Sequence, residues 1–286
     1  MSEMLAFRFL GVGNAQALEL GSSSGVLERG GEPLLLIDCG PDTLAAYAKC
    51  YDHPLPPAVF ITHAHLDHIG GLEGLFYQVH AERHCYGRIR LYIPVKLIES
   101  VQKRIADYPG ILAEGGANFW DAFQLIPVAD EFWHQNLRFT VFPVRHHAVL
   151  SAYGIALEGS FLYTGDTRPI PEIINQYACR GEPILHDCGI RQNPSHTGVH
   201  ELAAHYRPEQ LCRLVLYHYE SQEAGDELEK LGYRVARPQQ RILLQRWSNL
   251  SYEPAGVIQE FGTQLVARGV EVDGERHLSS GDDDVT

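Results

Sequence analysis

Long apolar runs are missing from this chain: nothing approaches the 18 or so uninterrupted apolar residues that a membrane-crossing helix needs, which argues against a helical membrane protein. The opening Met-Ser-Glu-Met-Leu-Ala-Phe-Arg lacks a basic segment followed by an apolar one, so no secretory signal is expected. Cysteine is sparse and unpatterned. The six residues (Cys39, Cys50, Cys85, Cys179, Cys188, Cys212) contain no Cys-x-x-Cys pair, which fits reduced thiols in a cytoplasmic chain better than a disulfide framework. Positive charge is also short, with 23 Lys and Arg against 36 Asp and Glu and a net charge of −13. A protein that grips long nucleic acid through its backbone carries a basic face, so that partner is not expected. Small anionic substrates stay open, because bound metal ions can supply local positive charge. No internal repeat and no clean linker divides the chain.

What is present is an ordinary globular composition, 45% hydrophobic in 286 residues, with ample material for a core. Its densest chemistry lies in residues 59 to 71, Val-Phe-Ile-Thr-His63-Ala-His65-Leu-Asp67-His68-Ile-Gly-Gly. Three histidines and a carboxylate follow an apolar run, 58 to 61, that reads as a strand end. Alternation along an extended segment puts His63, His65 and Asp67 on one side, and His68 follows as the chain turns. Imidazole nitrogens and a carboxylate oxygen converging from one short loop make a site for zinc or a similar divalent ion. An isolated histidine would most often be a satisfied polar residue; three with an aspartate at this spacing point to a metal.

The rest of the chain repeats the pattern of a strand that ends in chemistry. Strands are expected at 5 to 13, 22 to 28 and 34 to 38, with Gly30-Gly31 turning a hairpin and Asp38-Cys39-Gly40 closing the third. Asp38 caps the helix expected at 41 to 49 or stands behind the metal loop. Helices are expected at 72 to 82 and 95 to 108, and a strand at 88 to 94. Residues 109 to 136 read as a loop and helix over the cleft. Strands follow at 137 to 144, 151 to 157, 160 to 163, 183 to 185 and 213 to 217. Helices are expected at 200 to 206 and 224 to 231, then a strand at 233 to 236 and a poorly patterned remainder. Residues 1 to 278 are read as one domain and 279 to 286, ending Gly281-Asp-Asp-Asp-Val-Thr, as a disordered acidic tail. Four strand ends carry metal-competent residues: His63/His65, His146/His147, Asp166 and His218. Ligands on short loops along one edge describe a shared cleft.

His-x-His-x-Asp-His after an apolar strand resembles the signature of metallo-β-lactamase-fold hydrolases, and the Ile-Asp-Cys-Gly strand end resembles the opening of their ribonuclease Z-like and cyclic-nucleotide phosphodiesterase-like branch. That resemblance implies an α/β (α+β) fold, a four-layer αββα sandwich. It also implies two divalent ions, zinc first, with manganese, iron or cobalt as alternatives that ligand type cannot separate. His63 and His65 would hold the first ion, with His147 preferred over His146 as the third ligand. The preference rests on Ser151 four residues after His147 and on Tyr153-Gly154 soon after, with the glycine and the aromatic in reversed order from the family's pattern. Asp166, in Tyr-Thr-Gly-Asp-Thr, would bridge both ions. Asp67, His68 and His218 would complete the second, with Asp67 also counted as catalytic. Two ions about 3.5–4 Å apart would share a nucleophilic hydroxide and clamp substrate oxygens.

Ile184-Leu185-His186-Asp187-Cys188 and the segment opening at His200 resemble two further ribonuclease Z-like motifs. They imply that Asp187 orients His200, with His196 as the rival, to protonate the departing ester oxygen. Asp stands where Glu is usual, and the Ser or Thr that commonly follow the histidine are absent. The basic arm with which ribonuclease Z holds transfer RNA has no visible counterpart. The expected substrate is therefore a small nucleotide-like phosphodiester, with Arg145, Arg168 and Arg191 as candidate phosphate contacts. Two other readings differ in class. A thioester, lactone or β-lactam hydrolase would use the metals without Asp187 or His200. A non-catalytic metal-bound scaffold would be favoured by a lost ligand, and none is lost. Phe119, Trp120, Phe132 and Trp133 are candidates for a homodimer interface, a cleft cover or core.

Overall fold

The computed structural model describes residues 4–107 and 118–244, all within one compact unit. In chain order the strands and helices are β1 (Leu5–Gly11), β2 (Ser24–Arg29), β3 (Glu32–Ile37), α1 (Thr43–Ala48), β4 (Ala58–Phe60), α2 (Leu66–Ile69), α3 (Leu72–Ala81), β5 (Ile89–Pro94), α4 (Ile98–Val101), β6 (Phe123–Val128), β7 (Glu131–His134), β8 (Leu137–Pro143), β9 (Tyr153–Leu157) and β10 (Phe161–Tyr163). They continue with α5 (Pro171–Tyr177), β11 (Ile184–Asp187), α6 (Val199–His205), α7 (Pro208–Leu211), β12 (Leu214–Tyr217), α8 (Gln222–Lys230), β13 (Arg234–Val235) and β14 (Arg241–Leu244).

The strands form two seven-stranded sheets, one ordered β14-β1-β2-β3-β4-β5-β6 and the other β13-β12-β11-β10-β9-β8-β7. The chain fills the first sheet through β6, crosses into the second, and returns at the end to add β14 beside β1. Both sheets bury apolar strands such as β4 and β12 completely. An aromatic seam closes the space between them. Phe7 of β1 meets Phe161 and Tyr163 of β10 at ring separations of 5.5 and 5.8 Å, and Tyr92 of β5 stacks on Phe132 of β7 at 4.1 Å. Aromatic pairs at such distances add about 0.5–1.5 kcal/mol beyond the area they bury. His134 crosses the same seam: its Nε2–H donates to the Leu34 carbonyl over 3.0 Å, leaving Nδ1 to accept from the Tyr92 hydroxyl over 3.0 Å. Helix α3 buries Leu72, Leu75, Phe76 and Val79 and leaves Tyr77 and Gln78 outside, the one-sided pattern of a helix laid on a core.

Most expected elements stand within a residue or two of their expected ends, including the β2–β3 hairpin at Gly30-Gly31. Three differences are informative. The helix expected at 95 to 108 breaks into a 3₁₀ turn, α4 and a π-helical stretch, Gln102–Ala106, whose Gln102 side chain accepts from the Trp120 indole. The described part of 109 to 136 is not a loop and helix over the cleft. It supplies β6 and β7, which lie at the edges of the two sheets. Pro127 within β6 obscures that strand in sequence, and a proline is tolerated there because an edge strand leaves one row of N–H groups unpaired. Phe119 and Phe132 lie in the core, and of the four candidate interface aromatics Trp133 alone is freely exposed. The domain end expected at 278 and the tail at 279 to 286 lie outside the described residues.

Candidate metal centre

Strand ends from both sheets meet at one edge. Tyr153 N–H donates to the Thr62 carbonyl and His218 N–H to that of Val12, so each loop is tied to a loop of the opposite sheet. The metal loop itself is pressed tightly onto the β3 end. Cys39 N–H donates to His68 O, and a side chain at Gly40 would collide with the Asp67 carbonyl and the Ser22 side chain. Asp38 and His218 occupy left-handed backbone (φ 61° and 68°), a conformation that costs a non-glycine residue energy and is held here by these cross-links.

Ligand-type atoms fall into groups within 4.8 Å of one another: His63, His65, His146 and Asp166 form a first, and Asp67, His68, Asp166 and His218 a second. Asp166 belongs to both. Its Oδ2 lies 3.5 Å from His63 Nε2, 3.3 Å from His68 Nε2 and 3.2 Å from His218 Nε2. His146 Nε2 lies 3.3 Å from His65 Nδ1. His147, the expected third ligand, falls in neither group, and His146 stands in the first. His146 is buried in the first group, its Nδ1–H donating to the Ser195 carbonyl, while His147 is exposed and pairs with the Ser195 hydroxyl.

Buried neighbours fix which nitrogen faces inward. Asp38 Oδ2 accepts from His68 Nδ1 at 2.8 Å and from the Thr62 hydroxyl at 2.7 Å, while the Thr62 oxygen faces His63 Nδ1 at 3.1 Å. One carboxylate thus turns Nε2 of His68, and through a hydroxyl Nε2 of His63, towards Asp166. The Nε2 atoms of His63, His68 and His218 and Oδ1 of Asp166 are buried without a hydrogen-bond partner. Buried polar atoms are ordinarily paired. Donor atoms of the right type that converge without partners fit divalent cations. Electrostatics agree. Burial works against charge on both imidazoles, yet Asp166 and Asp38 raise His68 well above its usual range, and Asp166 and Asp187 lift His218 to about 10. The protons those carboxylates attract are the ones a cation would displace. Burial drops His63 well below its usual range and His65 to about 4, so both present lone pairs at neutral pH.

A further cluster joins Asp187, His196, His218 and Asp166. Asp187 Oδ2 accepts from His196 Nδ1 and from Thr167 N–H, each at 2.8 Å, and Oδ1 lies 3.4 Å from His218 Nδ1. The expected partnership of Asp187 with His200 is not seen: His200 points from α6 into solvent, and His196 takes its place. Burial lowers the His196 pKa, but the Asp187 hydrogen bond and charge outweigh it and the net shift is upward. The Asn-Pro-Ser-His turn at 193 to 196 was the available signal, since Asn193 Oδ1 accepts from the N–H groups of Ser195 and His196 and sets that loop. Nothing in the local sequence of Thr62, Thr167 or Ser195 distinguishes a supporting hydroxyl, N–H or carbonyl.

The cleft over these groups holds about 370 Å³ and is lined by Asn14, Gln16, Arg191, Gln192, Asn193 and Glu220 beside the histidines and aspartates. Of the three candidate phosphate contacts, Arg191 is there. Arg145 is committed to Glu172 at 2.9 Å and to the Pro169 carbonyl, and Arg168 does not line the cleft.

The family profile described as Anti-Pycsar protein Apyc1 matches residues 5–242. The Anti-Pycsar protein Apyc1 of Paenibacillus harenae is 30% identical over 249 residues, covering 82% of this chain and 98% of the relative. Among solved structures, the metallo-β-lactamase-fold protein YhfI of Bacillus subtilis superposes with a TM-score of 0.67 at 16% identity, covering 84% of this chain and all of the other. The short form of human tRNase Z gives 0.58 at 19% identity, covering 83% and 98%. The fold is therefore the metallo-β-lactamase sandwich, as the His-x-His-x-Asp-His loop implies.

Proposed function

Starting from the fact that this chain belongs to the Anti-Pycsar protein Apyc1 family, we propose that it is a metal-dependent phosphodiesterase that hydrolyses a small nucleotide-like phosphodiester. We extend to it the anti-Pycsar role that its relatives' name describes. The observation that carries the chemistry is the Asp187–His196 pair, 2.8 Å apart, at the wall of the cleft that the two ligand groups share. Acyl and lactone hydrolysis by the metals alone has no need of such a pair.

His63, His65, His146 and Asp166 would hold one divalent ion and Asp67, His68, Asp166 and His218 another. When bound, such ions polarise phosphoryl oxygens and make water nucleophilic near neutral pH. The protein's own residues do the rest. Arg191, the one arginine lining the cleft among the described residues, receives a non-bridging phosphate oxygen. His196, whose protonated form Asp187 favours, donates its proton to the departing ester oxygen, so an alcohol leaves in place of an alkoxide. Asp187 stays ionised, stabilising the imidazolium before transfer and the tautomer after it. Thr167 N–H, donating to the same Asp187 oxygen, keeps that carboxylate aimed.

The cleft volume and the net charge of −13 support a small substrate over long nucleic acid. No helix among the described residues is long and apolar enough to cross a membrane. All six cysteines are unpaired, which supports our placing the chain in a reducing cytoplasm. The test is turnover of bis(p-nitrophenyl) phosphate, then of cyclic nucleotides, by protein loaded with manganese or zinc. Activity abolished by His65→Ala and carried by neither metal-free protein nor chelated protein supports the reading. Turnover of thioesters or lactones with none of phosphodiesters would sink it.

A further inference from the structure

We propose that the two ligand groups are unequal, and that Asp38 and Asp187 make the second group (Asp67, His68, Asp166, His218) the tighter site, filled before the first. The inference rests on the two-cation reading above and concerns which residues rank the sites.

The asymmetry is one of charge. The second group takes two of its four ligands as carboxylates, Asp67 and Asp166, whereas the first has Asp166 alone among three imidazoles. Behind the ligands the contrast repeats. Both imidazoles of the second group face a fully buried carboxylate at Nδ1: His68 meets Asp38 at 2.8 Å and His218 meets Asp187 at 3.4 Å. In the first group the matching contacts are neutral, the Thr62 hydroxyl for His63 and the Ser195 carbonyl for His146. Four carboxylates therefore surround the second position directly or through one imidazole. A carboxylate behind a ligating histidine raises its basicity and fixes its ring, and losing such a partner commonly weakens metal binding by about 10–100-fold. Attraction between unlike charges is also far stronger at buried positions than in water.

Ligand chemistry adds a second consequence. Carboxylates suit manganese, whereas three imidazoles suit zinc or cobalt. The separation between the two binding steps is therefore wider with manganese than with zinc.

The decisive experiment titrates metal-free full-length protein with Zn²⁺ or Mn²⁺ by calorimetry and counts bound metal after dialysis. Wild type is expected to bind in two unequal steps. Asp38→Asn weakens the tighter step by about 10–100-fold, while His65→Ala removes the weaker step and leaves the tighter one in place. Loss of the tighter step in His65→Ala, its persistence unchanged in Asp38→Asn, or two indistinguishable steps with both metals overturns the ranking. Asp187→Asn is the replacement should Asp38→Asn not fold. If neither folds, one equivalent of Co²⁺ added to wild type and to His65→Ala decides: superimposable visible spectra support the ranking, and different ones overturn it. Uptake of a single ion would defeat the two-cation reading, yet the same variants would still show which group holds that ion. No uptake defeats both.

Discussion

His146 Nε2 and His65 Nδ1 lie 3.3 Å apart, from loops that follow β8 and β4 in different sheets. Neither nitrogen gains from facing the other unless one holds a proton or both face a cation, and burial lowers the pKa of both rings. The juxtaposition makes His146 the third imidazole of the first group. His146→Ala is expected to lose one bound metal ion and cut turnover roughly a hundredfold or more, as removing a metal-supporting partner already costs about 10–100-fold. His147→Ala, at an exposed position, is expected to keep both. Metal analysis beside activity separates the two, and the reverse result would restore His147.

His196→Ala should cut turnover of alkyl-ester substrates by about 10²–10⁴-fold, the usual worth of a positioned general acid. With p-nitrophenyl esters, whose leaving group needs little help, the loss should shrink to a few-fold. His200→Ala should track wild type on both. A His196→Ala loss that does not depend on the leaving group would point to metal binding as its role.

His134 links stability to pH. Burial pushes its pKa down to about 4, below the ordinary 6.5 it regains on unfolding. Between those values the unfolded chain binds a proton that the folded chain refuses, so folding loses stability as pH falls from 7 towards 4 and is unaffected above 7. The loss amounts to about 3 kcal/mol. The Tm gap between wild type and His134→Gln should be largest near pH 7.5 and narrow by pH 4.5. A gap that stays constant across that range would remove His134 from the acid response.

Gly40→Ala tests the close packing of the metal loop. The added methyl would meet the Asp67 carbonyl and Ser22, forcing the loop outward. Overpacking of this kind costs about 1–3 kcal/mol. We expect a lower Tm together with weaker metal uptake, read by thermal unfolding with and without added metal. A stable variant with normal uptake would show that the loop tolerates the shift.

The metal loop was legible because its information is local. His63, His65, Asp67 and His68 fall within six positions, and chain geometry alone brings such neighbours together. Asp166 and His218 were legible as polar residues at the ends of apolar strands, where burial forces a reason for them. The aromatic edge strands were not, since an edge strand shows weak alternation and admits Pro127. Nor could local sequence choose between His146 and His147, or between His196 and His200. Each pair is close in sequence and alike in chemistry, and the choice depends on what the opposite loop presents. The Ser195 carbonyl that holds His146 is 49 positions away, and the Asp38 carboxylate that turns His68 is 30 away. Sequence by itself determined the sheet-edge cleft and the donor types, because periodicity and short spacings act over a few residues, while the fold family came from the resemblance that the His-x-His-x-Asp-His loop carries. Tertiary structure alone decided which nitrogen faces inward and which carboxylate stands behind it, because those follow from contacts made only when two sheets close on each other.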